Sequence, residues 1–167
     1  SKKPLAIYYA IVLAVLLLPG CGGEKQTTFQ VGDKVETYWF QFTVDQVKTT
    51  DRWMDYQPQE GDRLAVCYLT MDSTFSEAVP MNWADFVLRW GDGEEDGTCP
   101  IEYQGQEQLP DEYDLVKGEE RTGCLVFEVP QGVTRAKLVF QELFNEGDSD
   151  RVYTEGDTYY VDVDLPA

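Results

Sequence analysis

The sequence predicts an all-β chain: an immunoglobulin-like antiparallel β-sandwich of seven to eight strands with Greek-key connections, preceded by a signal peptide. Three observations lead there. Apolar and polar residues alternate with a period of two in several segments, which is the pattern of a half-buried strand. Clusters rich in Gly, Pro, Asp and Gln separate those segments at short intervals. After residue 30 no stretch carries an apolar repeat of helical spacing between caps.

The first element is the segment Ser1 to Cys21. Lys2 and Lys3 make a basic head, Leu5 to Leu18 an apolar middle, and Pro19-Gly20 a small-residue end. Those are the three parts of a secretory signal. The apolar middle would cover about 21 Å as a helix, too little for a hydrocarbon core about 30 Å thick. Leu18-Pro19-Gly20-Cys21 resembles the bacterial lipobox, which implies a diacylglyceryl group on Cys21 as the mature N-terminus. The expected division is a lipoprotein signal peptide over 1–20, a lipid-bearing tether over 21–30 and the sandwich over 31–167.

The strands follow. Phe40, Phe42 and Val44 alternate with Gln41, Thr43 and Asp45, and Phe86, Leu88 and Trp90 alternate with Asp85, Val87 and Arg89. Ala136, Leu138 and Phe140 make a third alternating face, and Tyr159, Val161, Val163 and Leu165 a fourth, read as an extra edge strand. Leu64 to Met71 and Leu125 to Val129 are apolar on both faces and read as central strands. Residues 58–62, 91–93, 130–132 and 146–148 carry the turns, and Ser76 to Asp85 has room for one helical turn.

Val31-Gly32-Asp33, Phe42-Thr43-Val44-Asp45-Gln46-Val47 and above all the stretch from Lys117 to Pro130 resemble a family of immunoglobulin-like domains in secreted Gram-positive lipoproteins. That family is itself similar to a secreted immunoprotective antigen of β-sandwich fold. The resemblance covers roughly residues 30–142 and implies a fold without implying an activity. The same residues have plain structural readings. Gly118 and Gly123 suit positive φ beside a strand, Pro130 stops the strand, and Phe127 and Phe140 fill the space between sheets.

Composition narrows the function. Of the 167 residues, 147 remain without positions 1–20, enough for one domain with a core that needs no metal or disulfide. Four Trp, ten Tyr and eight Phe supply core material. The formal charge of −18 becomes −20 when Lys2 and Lys3 leave, which excludes nucleic acid and electrostatic docking on anionic lipid. A covalent lipid would then hold the domain at the membrane. No histidine occurs, so histidine-dependent triads and the usual zinc sites are excluded. Cys67, Cys99 and Cys124 allow one bridge in three pairings. Cys67 to Cys124 spans an inter-sheet distance, yet Cys124 shares its face with Val126 and Glu128, so the pairing stays open.

Two loops draw attention. Trp53 and Tyr56 sit between Arg52 and Pro58, where loops normally hold small polar residues, and Trp83 sits between Asn82 and Asp85. Such side chains stack on sugars or anchor protein partners when exposed, and otherwise cap one end of a sandwich. Asp92, Glu94 and Asp96, with Gly97 at the sixth place, match the start of a calcium loop, although Tyr103 stands where its bidentate Glu belongs. The alternative is a solvated hairpin tip, and Asp148, Asp150 and Asp157 form a weaker acidic group.

The expectation is therefore a non-enzymatic, lipid-anchored module on the extracellular face of a bacterial cell membrane. Its membrane contact is the lipid on Cys21. Its ligand is a protein or a cell-wall glycan met by Trp53, Tyr56 and Trp83. It uses no cofactor, calcium at Asp92, Glu94 and Asp96 being the one candidate.

Overall fold

The computed structural model describes residues 25–145 and 153–167. Cys21, Asp148 and Asp150 lie outside the described residues. The described chain is all-β, with eleven strands: β1 (Thr28–Gln30), β2 (Lys34–Glu36), β3 (Phe40–Thr50), β4 (Asp62–Ser73), β5 (Val79–Asn82), β6 (Phe86–Arg89), β7 (Gly97–Thr98), β8 (Glu112–Leu115), β9 (Glu120–Pro130), β10 (Arg135–Asn145) and β11 (Tyr153–Asp164). A five-stranded sheet, β1-β11-β10-β6-β7, packs on a four-stranded sheet, β2-β3-β4-β9, and β5 and β8 pair in a small ribbon of their own. β4 meets β9, and β6 meets β10, only after long excursions into other sheets, as Greek-key connections require. The strands beyond the expected number are short pieces such as β1, β2, β5 and β8, whose three or four residues cannot display an alternation.

The predicted alternations bury the expected faces. Phe40, Phe42, Phe86, Phe140 and Tyr159 meet between the sheets, with the Phe40 and Phe140 centroids 4.9 Å apart and those of Phe86 and Phe140 5.5 Å apart. The first pair is edge-to-face and the second tilted, arrangements that suit the ring quadrupoles in addition to burying area.

Four expectations need correction. The tail strand β11 is internal, lying between β1 and β10, because its alternating face is long enough to pair on both sides. β1 joins it in parallel, Thr28 opposite Tyr160, so the sheet is mixed and the fold begins before residue 31. The expected tether is fixed as early as Lys25, whose ammonium reaches the Asp157 carboxylate at 2.8 Å and the Tyr159 hydroxyl at 2.5 Å. β9 is the outermost strand of its sheet, not a central one.

β9 is nevertheless apolar on both faces for a physical reason. Leu125, Phe127 and Val129 join the main core, while Cys124 and Val126 join Leu64, Val66 and Ile101 in a second buried cluster on the outer face of the β4–β9 ladder. The irregular segment 101–109 lies along the outer edge of β9. Ile101 N–H donates to the Val126 carbonyl, and Leu109 N–H to that of Cys124, both at 2.8 Å. No disulfide joins Cys67 to Cys124. Cys67 opposes Leu125 on the inner face and Cys124 opposes Tyr68 on the outer, so the sheet separates the two thiols. Burial pushes both up to about 12.

Gly118 has the expected positive φ of 86°, but Gly123 does not. Gly123 is needed for space instead: a Cβ there would stand 2.7 Å from Leu109 Cδ2 and 3.0 Å from the Glu107 carbonyl oxygen. Gly123→Ala should therefore cost about 1–3 kcal/mol in urea unfolding by overpacking. Gly132→Ala, with nothing within 4 Å of the added carbon, should stay within about 0.5 kcal/mol of the parent.

Candidate binding surface

Residues 51–61 connect β3 to β4 and fold back over the second cluster. Trp53 and Tyr56 exchange two backbone hydrogen bonds, at 3.1 and 2.8 Å, closing a tight turn with Met54 at φ 54°. Their rings lie half-buried against Leu64, Val66 and Val126. They cap the outer face of the β4–β9 ladder, not an end of the sandwich. Their polar atoms are engaged as well: Trp53 Nε1–H donates to Gln108 Oε1 at 3.2 Å, and the Tyr56 hydroxyl to Glu128 Oε1 at 3.0 Å. Burial, then the Glu128 carboxylate, raises the Tyr56 phenol above its ordinary value.

Gln108 organises the facing loop. It is buried, and its Oε1 accepts from Gln104 N–H at 2.8 Å as well as from Trp53. Its Nε2 donates to the Ile101 and Glu102 carbonyls at 3.3 and 3.1 Å. A buried amide is stable only with its partners in place, so this side chain fixes the path of residues 101–108. Gln106, at φ 56°, lies in that loop. Among the described residues Met54 and Gln106 are the only non-glycine positions with positive φ. The two loops touch, since Met54 Cε lies 3.8 Å from where a Cβ on Gly105 would stand.

The side chains left outside are the informative ones. Met54 is 38% exposed, Tyr103 46% and Trp83 41%. Asp111 links the last two: its Oδ1 accepts from Tyr103 N–H at 3.1 Å and its carbonyl from Trp83 N–H at 2.8 Å. Of the expected ligand residues, then, Trp83 is exposed on this flank while Trp53 and Tyr56 underpin it. Met54 and Tyr103 are not among the expected ligand residues, Met54 being the third large side chain of the Trp53–Tyr56 loop and Tyr103 standing only where a calcium loop would need its bidentate Glu. Asp51, Asp55, Glu102, Glu107 and Glu112 are exposed in the same loops and at the start of β8.

The calcium loop does not form as a ligand set. Asp92 and Glu94 point into solvent at the tip of the β6–β7 hairpin. Asp96 turns inward, accepting from Gly93 N–H at 3.1 Å. Arg89 donates to the Gly93 carbonyl at 2.6 Å and to that of Gly91 at 3.3 Å, placing a cation where a metal would seek oxygen. No group of three His, Cys, Asp or Glu among the described residues is arranged to hold a metal ion. The hairpin tip is the better description. Asp157 of the weaker acidic group pairs with Lys25.

Trp83 stands on a short 3-10 turn, Trp83–Asp85, capped reciprocally: Asn82 Oδ1 accepts from Ala84 N–H at 2.9 Å and Asp85 Oδ2 from Asn82 N–H at 2.6 Å. Burial raises the Asp85 carboxyl from 3.8 to about 7 against the opposing pull of the Asn82 bond. Between those values the unfolded chain has lost a proton that the folded one keeps, so stability falls as pH rises through that window, by at most about 1.4 kcal/mol per pH unit from this group. Asp85→Asn should lack this contribution. Urea midpoints at pH 4.5 and 7.5 should show the variant gaining on the parent at the higher pH, and parallel pH profiles would contradict the assignment.

The likeness to known proteins begins with solved structures. The ycdA protein of Bacillus subtilis, a candidate lipoprotein, aligns over 78% of this chain at 17% identity and a TM-score of 0.55. This chain spans 38% of that protein's length. The yjhA protein of the same organism aligns over 81% of this chain and 99% of its own, at 19% identity and a TM-score of 0.53. Identities this low establish the fold alone. No secreted immunoprotective antigen is among these relatives, and no curated protein matches. The family described as "Domain of unknown function (DUF4352)" matches residues 29–151, from β1 through β10, and the chain belongs to that family.

Proposed function

We propose that this chain is a non-catalytic module of the bacterial envelope, held on the extracellular face of the cell membrane by a lipid on Cys21, that binds a protein partner through the Met54–Tyr103–Trp83 flank. The observation that carries the binding is the pairing of exposed apolar side chains with left-handed backbone at Met54 and Gln106. Each such non-glycine residue costs on the order of 1 kcal/mol, and the Gln108 network holds both loops in place at that cost. Strained loops on a rigid scaffold, topped by Met and aromatic side chains, are a recurrent form of protein-binding surface.

The acidic rim favours a partner segment that combines apolar with basic side chains. A glycan is the weaker reading, because stacking on sugars wants a row of exposed rings, and Trp53 and Tyr56 are half-buried against the second cluster, which leaves Trp83 and Tyr103 as the exposed rings. The non-catalytic reading is supported by the absence of histidine. It is supported too by the position of Asp85, the one carboxyl among the described residues shifted to neutrality, which lies beneath a capped turn. The anchoring rests on the lipobox-like sequence before Cys21 and on the fold shared with a candidate lipoprotein.

Two experiments test the two halves. Selection of a random peptide library on the immobilised protein should enrich sequences with Lys or Arg beside apolar residues. Met54→Glu with Tyr103→Glu should weaken those peptides at least tenfold by calorimetry while leaving the melting temperature within a few degrees. No enrichment, or binders indifferent to both changes, would refute the surface. Separately, Cys21→Ser should move the protein from the membrane fraction to the soluble one, and retention in the membrane would refute lipid anchoring.

A further inference from the structure

A second aromatic group lies elsewhere in the fold. Tyr38, between β2 and β3, is 50% exposed. Its ring centroid is 5.1 Å from that of Phe144, 5.4 Å from Trp39 and 6.1 Å from Phe75. Trp39 is fully buried behind it, and Phe75 and Phe144 are half-buried. This group occupies the end of the sandwich where β3 and the first half of β11 begin and where β4 and β10 finish. Met54 lies in the loop between the far ends of β3 and β4, away from it, and Tyr103 in the segment that runs along β9.

The chain enters the fold beside the same aromatic group. Lys25 donates to the Tyr159 hydroxyl at 2.5 Å, and that hydroxyl donates to Glu142 Oε2 at 3.1 Å. The same carboxylate oxygen accepts Tyr38 N–H at 2.6 Å, and Glu142 Oε1 accepts Asp157 N–H at 3.1 Å. Glu142 is buried at 3% exposure, so the junction is a fixed part of the interior. A carboxylate buried there is tolerable because three donors meet it. Three hydrogen bonds, through the Tyr159 hydroxyl and the Glu142 carboxylate, thus link the Lys25 ammonium to the backbone of Tyr38.

Only three residues lie between Cys21 and Lys25, and an extended chain covers at most about 14 Å over the four steps from one to the other. We infer that, in the lipid-anchored protein, the Tyr38–Phe75–Phe144 end rests in the head-group layer of the bilayer. The inference depends on the lipid anchor at Cys21 proposed above. Tyrosine suits that layer because it offers an apolar ring and a hydroxyl to a region that is half wet. The net charge of −18 gives no electrostatic reason for contact, so the contact is with lipid generally and does not select anionic head groups. The lock at Glu142 ties Lys25 to that end of the fold and leaves the Met54 loop, where β3 finishes and β4 begins, at the end away from the membrane.

The test uses the acylated protein in phosphatidylcholine vesicles, with an environment-sensitive fluorophore on Tyr38→Cys and, separately, on Met54→Cys. Cys67, Cys99 and Cys124 are buried and escape labelling. Tyr38 contributes only its backbone N–H to the lock, so the substitution leaves the junction intact. A quencher carried on the lipid should reduce emission at least threefold more at position 38 than at position 54. Equal quenching in protein that floats with the vesicles would overturn the inference and leave the anchor standing. Failure to float would overturn the anchor and the inference together.

Discussion

A strand at the edge of a sheet cannot carry apolar side chains on both faces unless something covers the outer one. β9 is such a strand, and much of what is distinctive here follows from the need to cover it. Cys124 and Val126, with Leu64 and Val66 across the ladder, would leave exposed apolar surface on a plain sandwich. Burying four such side chains is worth several kcal/mol at about 25 cal/mol per Å², a large share of a small domain's net stability. Segment 101–109 and the turn at Trp53–Tyr56 supply the cover. In doing so they bring Met54, Tyr103 and Gln108 together, and the edge of β9 is closed by hydrogen bonds that would otherwise invite another strand. The candidate binding surface is thus built on the lid of a second core.

The sequence carries the main strands clearly and the lid hardly at all, for reasons of range. Phe40, Phe42, Phe86, Phe140 and Tyr159 sit in alternations whose meaning is local, so their burial can be read residue by residue. The two-faced apolarity of Leu125 to Val129 is equally visible, but a central strand and an edge strand with a cover look alike in one dimension. Ile101 and Gln108 are the cover, and nothing near them in sequence says so. Their roles depend on β9, whose Cys124 and Val126 accept their pairing from about twenty residues along the chain. The apolar face of β11 was legible for the same local reason as Phe40, while its internal position was not. That position depends on the three residues of β1, too few to show a period. Trp53 and Tyr56 were conspicuous as aromatics in a loop, and the burial of their faces follows from a core the sequence could not reveal. Asp92, Glu94 and Asp96 illustrate the converse. Their spacing fits a calcium loop, but Arg89 lies two residues beyond Val87 on the neighbouring strand and takes the carbonyls first.

Glu142 is the counterpart of β9 at the other side of the molecule. A carboxylate with almost no exposure would be a liability without donors, and it receives three: Tyr38 N–H just before β3 and, from β11, Asp157 N–H and the Tyr159 hydroxyl that also meets Lys25. Such a junction has a geometric consequence besides its energy. It converts the first described residues from a loose leader into part of the sheet, so that the direction in which the chain leaves the domain is as defined as the strands themselves.

Charge then decides how selective the presented flank can be. At physiological ionic strength the Debye length is about 8 Å, so most of the −18 is screened from a partner at any given spot. Only acids within reach of Met54 and Tyr103 act on an approaching chain, and Asp55, Glu102 and Glu107 belong to the same two loops. Asp55 is partly offset by Arg52 at 3.7 Å, an exposed pair worth little in water. What remains is a small apolar face with a negative margin, which would repel an acidic chain and, in the reading proposed above, favour one that pairs apolar with basic side chains. A net charge of −18 opposes approach to any strongly acidic surface, whereas the local rim acts only within about a Debye length.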